Sequence, residues 1–196
     1  MRRMDQLAEA DAVKDSKFLA GVLRHDPGKI GVTLDAAGWV DVDVLLAALK
    51  RRGRRIDRAR LDFVVEHNNK KRFEYDESGA RIRASQGHSV PVDLGYEPQD
   101  PPETLFHGTA TRSLDSIFAE GLLPGGRHHV HLSVDVETAV KVGSRHGKPV
   151  VLVVAAARMR ADGRAFFRST NGVWLTEHVA PEYLSFAQPD SVGPPA

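Results

Sequence analysis

Four short clusters carry residue types that can do chemistry. The first is Arg24-His25-Asp26-Pro27. Its cations suit the carbonyl end of a helix, and taken alone that structural role accounts for them. The second, Lys70-Lys71-Arg72, reads alone as a solvated turn or as a contact to phosphate. The third is His107-Gly108-Thr109, where an imidazole precedes a residue without a Cβ. Such a pair can present a ring nitrogen and bare backbone to a closely approaching ligand; alone, it reads first as a satisfied structural histidine. The fourth is Gly126-Arg127-His128-His129-Val130-His131-Leu132-Ser133. Three histidines in four positions invite a zinc reading. On a strand, however, His129 and His131 share one face while His128 points away, and no HExxH or acidic ligand set accompanies them. Arg127 ahead of a strand containing His131 fits an anionic ligand better, so no metal is expected.

The apolar periodicities say which elements must position these clusters. Phe18, Leu19, Val22 and Leu23 fall at helical spacing, with Asp15 or Ser16 as the expected N-cap and Pro27 closing the segment. Gly38-Trp39-Val40 is a short extended piece. Asp43 is the expected cap of a helix carrying Leu45, Leu46 and Leu49. Asp57 starts another with Leu61, Val64 and Val65 facing inward, ended by His67-Asn68-Asn69. Arg72-Phe73-Glu74-Tyr75 and Arg81-Ile82-Arg83 flank a turn at Asp76-Glu77-Ser78-Gly79 and read as a hairpin. Helices closed by such a wing predict a winged-helix lobe over residues 1–95, an arrangement that commonly binds nucleic acid. Turn formers crowd Gly95-Tyr96-Glu97-Pro98-Gln99-Asp100-Pro101-Pro102, so 96–102 is the expected linker.

From 103 to 188 the pattern becomes short strands separated by two helices. Strands are expected at 104–107, 130–133, 149–157, 172–176 and 183–186. One helix covers 113–120, with Leu114, Ile117 and Phe118 on its inner face and Gly121 as its stop; Asp135 caps the other. The expected fold class is α+β, a helical lobe followed by a mostly β lobe. Residues 1–14 and the tail 189–196 are expected to be frayed.

Composition bounds what such a chain does. The sequence has 196 residues, 41% hydrophobic and 27% charged, which suits one generous domain or two small lobes with an ordinary core. With no cysteine it has neither disulfides nor thiolate metal sites. No apolar run approaches the roughly 20 residues that span a bilayer. Nor does an apolar stretch follow the basic start, so no signal peptide and no membrane partner are expected, and the expected location is cytoplasmic. The net charge is only +1, yet residues 50–60 carry seven cations against one acid. That run reads either as a solvated face or as the footprint of a phosphate-rich partner.

Taken together the clusters say more. In order they are Leu23-Arg24-His25, Gly38-Trp39-Val40, Lys70-Lys71-Arg72-Phe73, Gln86-Gly87-His88, His107-Gly108-Thr109, Arg127-His128-His129-Val130-His131-Leu132-Ser133 and Asn171-Gly172-Val173-Trp174-Leu175-Thr176. From Ser16 to Phe186 the series resembles the NAD-dependent RNA 2′-phosphotransferases of the KptA family. The most specific strings are Arg-x-His-Val-His-Leu-Ser and Asn-Gly-Val-Trp-Leu-Thr.

The resemblance implies a winged-helix RNA lobe followed by an ADP-ribosyltransferase-like lobe. It implies a two-step reaction in which an internal RNA 2′-phosphate attacks the nicotinamide-bearing ribose carbon of NAD. A neighbouring ribose hydroxyl then attacks phosphorus, giving 2′-hydroxyl RNA, ADP-ribose 1″,2″-cyclic phosphate and nicotinamide. NAD is thus a consumed co-substrate, RNA bearing a 2′-phosphate is the partner, tRNA splicing is a setting for the activity, and the protein is expected to act as a monomer. By resemblance the catalytic group is Arg24, His25, Arg72 and Arg127, drawn from both lobes with the reaction in the cleft between them. Lys70 supports the second step, and His107, Gly108, Thr109, His131, Leu132 and Ser133 hold NAD. Relatives acting on neutral acceptors carry a glutamate on a late strand. Here that stretch offers Val173 and Trp174, and Glu177 is expected on the surface. An alternative is an ADP-ribosyltransferase that stops after the first step on a nucleic-acid phosphate end. A non-enzymatic winged-helix regulator and a zinc hydrolase on His128, His129 and His131 use fewer of the motifs.

Overall fold

The computed structural model describes residues 2–68 and 70–187, with side chains from residue 11 onward. The expected tail, 189–196, and Asn69 lie outside the described residues. The chain divides into two compact units, Met1–Gly95 and Tyr96–Ala196. Both mix helices with small antiparallel sheets, so the fold is α+β.

In the first unit, helix α1 spans Arg2–Arg24, α2 Val42–Arg51 and α3 Arg58–Glu66. Strands β1 (Val40–Asp41), β2 (Phe73–Tyr75) and β3 (Arg81–Ala84) form one sheet in the order β1-β3-β2. The helix α1 corrects two expectations. It begins at Arg2 rather than at an N-cap on Asp15 or Ser16, so the stretch expected to be frayed carries helical backbone. The physical reason is that good helix formers fill residues 6–14, while Asp15 and Ser16 have partners elsewhere. Asp15 pairs with Arg60 at 2.9 Å, and Ser16 is buried.

The cap of α2 is Asp41 rather than Asp43, its carboxylate accepting from the Asp43 and Val44 amides. Asp57 caps α3 through the Arg60 amide. Leu19, Val22, Leu23, Leu45, Leu49, Leu61, Val64 and Ile82 form the core beneath the sheet and helices. Each such side chain contributes about 1.5–3 kcal/mol through burial.

The second unit contains two three-stranded sheets. One has the order β4-β6-β9, with β4 Leu105–Ala110, β6 Pro149–Val154 and β9 Leu184–Phe186. The other has the order β5-β8-β7, with β5 Val130–Leu132, β8 Trp174–Thr176 and β7 Phe167–Arg168. Helices α4 (Leu114–Glu120), α5 (Val136–Gly143) and α6 (Ala156–Ala161) complete it. Leu105, Leu132, Leu152, Val154, Met159 and Phe166 are among its most deeply buried residues.

Segment 96–102, expected as a linker, is bonded into this unit. The Gln99 amide donates to the Phe166 carbonyl at 2.8 Å, Pro98 bridges Phe167, and Asp100 pairs with Arg160 at 2.8 Å. Phe118, expected on the inner face of its helix, is exposed and rests on Phe186 at 5.1 Å. Asp135 caps α5 through the Thr138 amide, and Gly121 ends α4 with a φ of 84°.

Candidate active site

In the first unit the site residues border one segment, 85–89. The α1 carbonyl of Arg24 accepts from the Ser89 amide at 2.9 Å, and His25 Nδ1 lies 2.9 Å from Ser89 Oγ. At the other end the Ser85 amide donates to the Arg72 carbonyl at 2.8 Å. Gly87 has a φ of 87°, and a Cβ on it would lie 3.6 Å from Arg24 Nη1. The left-handed backbone is what calls for glycine there, since a Cβ at that distance would only touch the guanidinium.

The Arg72 guanidinium is held from two directions. Its Nη1 donates to Asn68 Oδ1 at 2.9 Å and to Ser16 Oγ at 3.2 Å. Asn68 Nδ2 in turn donates to Ser16 Oγ at 2.8 Å. Ser16 and Asn68 escaped the sequence reading, which treated one as a cap and the other as a helix end. A signal existed: Ser16 stands on the apolar stripe of α1 between Ala12 and Leu19, where a polar residue needs a partner.

In the second unit, His107, Gly108 and Thr109 lie on β4. The Phe106 amide and carbonyl both bond to Ser133, at 2.8 Å each, as an isolated bridge to the chain beyond β5. Backbone groups on an antiparallel strand alternate between its two edges. Gly108, two residues on, therefore turns its N–H and C=O toward the same edge as Phe106. His131, two residues before Ser133, turns its own toward β4. The pairing does not continue to that position, so the strands part there. His107 reaches across the gap, its Nδ1 lying 3.1 Å from the His131 carbonyl. A carbonyl only accepts, so this nitrogen carries the proton and Nε2 of the neutral ring is an acceptor. Burial pushes the His107 pKa below the ordinary imidazole value, helped by His146 nearby and opposed by the His131 carbonyl.

Gly108 is required for a different reason from the one its motif suggested. A Cβ there would meet the Ala139 carbonyl oxygen at 1.7 Å and the Gly143 nitrogen at 2.9 Å. A Cβ on Gly143 would meet the Thr109 oxygen at 2.7 Å. The two glycines seat α5 directly on β4, and Gly143 was not foreseen. The missing Cβ serves helix packing, while the Gly108 amide and carbonyl face the open edge.

Thr109 and Leu132 are buried, with Leu132 in the core. Their side chains position strands, and by the same alternation their backbone groups turn away from the parted edge, toward β6 and β8. Arg127 is exposed, and its Nη1 donates to His131 Nδ1 at 3.2 Å, which requires that nitrogen to be unprotonated. Lys70 is exposed and follows Asn68 in the turn before β2. His129 packs edge-on against Phe167 at 5.5 Å, and His128 is exposed. Among the described residues no three His, Asp or Glu side chains gather as a metal-ligand set. Glu177 is exposed.

The comparisons with known proteins agree on one family. The description "RNA 2'-phosphotransferase, Tpt1 / KptA family" matches residues 10–178, which takes in most of both units. Three proteins named "Probable RNA 2'-phosphotransferase" are similar along nearly their whole length. That of Burkholderia lata is 51% identical over 183 residues, 93% of this chain and 94% of the relative. That of Agrobacterium fabrum is 56% identical over 176 residues, 90% and 95%. That of Streptomyces coelicolor is 54% identical over 177 residues, 90% and 96%. The chain belongs to the RNA 2′-phosphotransferase family, and is by that membership a transferase with an RNA substrate. No helix among the described residues is long and apolar enough to cross a membrane.

Proposed function

We propose that the protein transfers an internal RNA 2′-phosphate to NAD, releasing nicotinamide and ADP-ribose 1″,2″-cyclic phosphate and leaving a 2′-hydroxyl. In this reading the first unit is a winged-helix RNA lobe and the second an ADP-ribosyltransferase-like NAD lobe. The observation that carries the NAD half is the parted edge of β4. There the Gly108 N–H and C=O, a donor and an acceptor on one strand, suit a carboxamide such as that of nicotinamide. His107 Nε2, held neutral and acceptor-only, suits a ribose hydroxyl donor.

The 2′-phosphate is already an anion, so the first step needs no base to create the nucleophile. A phosphate oxygen forms the bond to the ribose carbon as the bond to nicotinamide breaks, its electron pair leaving with the pyridine nitrogen. Arg24, His25 and Arg127 hold the phosphate in line by charge-assisted donors, with Arg72 beside them and acting chiefly in the second step. In the second step the adjacent ribose hydroxyl attacks phosphorus and the RNA 2′-oxygen departs, taking up a proton. Lys70 and Arg72 stabilise the charge that gathers on the five-coordinate phosphorus. His25 is the group suited to pass the proton from the attacking hydroxyl to the leaving oxygen.

The test is product analysis with NAD and an oligonucleotide carrying one internal 2′-phosphate. Nicotinamide, dephosphorylated RNA and the cyclic phosphate should form in equal amounts. Loss of the phosphate without NAD would overturn the reading. A stable ADP-ribosylated product from the wild-type protein would favour a transferase that stops after one step.

A further inference from the structure

The turn that carries Lys70 and Arg72 is built around one buried amide, and its construction exceeds what a surface turn needs. Asn68 is 8% exposed and Ser16 4%. Asn68 Oδ1 accepts from the Arg72 guanidinium at 2.9 Å and from the Lys70 backbone amide at 3.1 Å. Its main-chain carbonyl accepts from the Lys71 amide at 2.7 Å, and its Nδ2 donates to Ser16 Oγ on α1. Between the two cations, Lys71 takes a φ of 40°, a left-handed conformation costly for a side chain with a Cβ, and the only such non-glycine among the described residues. The backbone persists there because the Asn68 bonds and the Ser85 hydroxyl on the Lys71 carbonyl, at 3.0 Å, over-determine it.

We infer that Asn68, with Ser16 behind it, is a positioning residue for the second chemical step: it fixes the plane of the Arg72 guanidinium and the backbone that presents Lys70. This inference rests on the reaction proposed above. A guanidinium is planar, so holding Nη1 with two acceptors orients its whole donor fork. The amide suits the task because it supplies an acceptor to Arg72 and a donor to Ser16 at once. Misplacement of a charge-stabilising group by about 1 Å costs on the order of 100-fold in the step it serves.

The experiment is a single-turnover time course on the full chain with NAD and an oligonucleotide bearing an internal 2′-phosphate. It follows nicotinamide, the ADP-ribosylated RNA and the cyclic phosphate separately. Asn68→Ala should release nicotinamide near the wild-type rate yet accumulate adduct, its conversion slowed by about 100-fold. Asn68→Asp keeps the acceptor and should recover most of the second step, and Ser16→Ala should give a milder form of the same accumulation. Should Asn68→Ala not fold, Ser16→Ala against Asn68→Asp carries the comparison. The inference fails if both steps slow together in every variant, or if Asp behaves as Ala does.

If the wild-type protein released no nicotinamide, the proposed reaction would fall instead. The positioning role would then still be read from ¹⁵N relaxation of the Arg72 Nε–H. That group should be rigid in the wild type and mobile in Asn68→Ala, and an unchanged signal would overturn the role.

Discussion

The first unit presents its candidate residues on side chains held by other side chains, whereas the second presents bare backbone at a parted strand edge. Arg72 is oriented by Ser16 and Asn68, and Arg24 lies against Gly87. Gly108 instead offers its own amide and carbonyl, and its place is set by a helix backbone packed where a Cβ would be. The difference teaches what kind of damage each site tolerates. A side-chain network loses function by degrees as each acceptor is removed. A backbone site is kept or lost with the strand that carries it.

The sharpest way to break that comparison is Gly108→Ala. The new methyl would stand 1.7 Å from the Ala139 oxygen, which is backbone and cannot swing away. The second unit should fail to fold, or lose at least about 3 kcal/mol, beyond the usual range for overpacking. A melting curve like that of the wild type would show that α5 can lift from β4.

Next in size is Arg72→Ala. It removes the guanidinium and its bonds to buried Asn68 and Ser16 but leaves β2 paired. The protein should still fold, less stable by about 1–3 kcal/mol, while adduct accumulates and the second step slows by about 100- to 1,000-fold. Arg127→Ala, by contrast, should slow nicotinamide release itself. Equal slowing of both steps in Arg72→Ala would contradict its assignment.

A smaller effect, and one with a defined pH window, belongs to His107. Its folded pKa lies below the ordinary value of about 6.5. As pH falls through that value the unfolded chain takes up the proton first, so stability contributed by the neutral ring is complete above about pH 6.5 and lost progressively below it. His107→Asn keeps a donor for the His131 carbonyl and has no such titration. Its melting temperature should fall less steeply than the wild type's between pH 7 and 5; parallel curves would refute the assignment.

The smallest effects should come from the basic run. Arg60 is part-buried against Asp15, Arg58 pairs with Asp62, and Arg54 lies 3.9 Å over the Phe18 ring. Lys50, Arg51, Arg52 and Arg55 make no ion pair among the described residues. Replacing each of those four with Gln should change stability by no more than about 0.5 kcal/mol. Arg60→Ala should cost about 1–3 kcal/mol by leaving Asp15 without its partner. Calorimetry of these variants distinguishes solvated from structural cations within one run of sequence.

Much of the fold was legible because local signals agreed. Leu19, Val22 and Leu23 marked α1's buried face, Asp57 and Asp135 marked two caps, and alternation around Gly79 marked the β2–β3 hairpin. The start of α1 was misread because Ser16 is as apt a cap as it is a buried partner. Phe118 was misread because its spacing is helical while its neighbour Phe186 is distant in sequence.

By itself the sequence determined the motif order, the α+β class and the family, since these depend on residue identity and spacing along one chain. Only the tertiary structure decided what individual residues are for. That Asn68 and Ser16 meet Arg72, that Gly108 makes room for Ala139 and Gly143, and that His107 Nδ1 reaches the His131 carbonyl are contacts across 4 to 56 residues. Chain length separates most of these partners, and burial with hydrogen bonding brings them together. No pattern read along a single strand or helix contains that information.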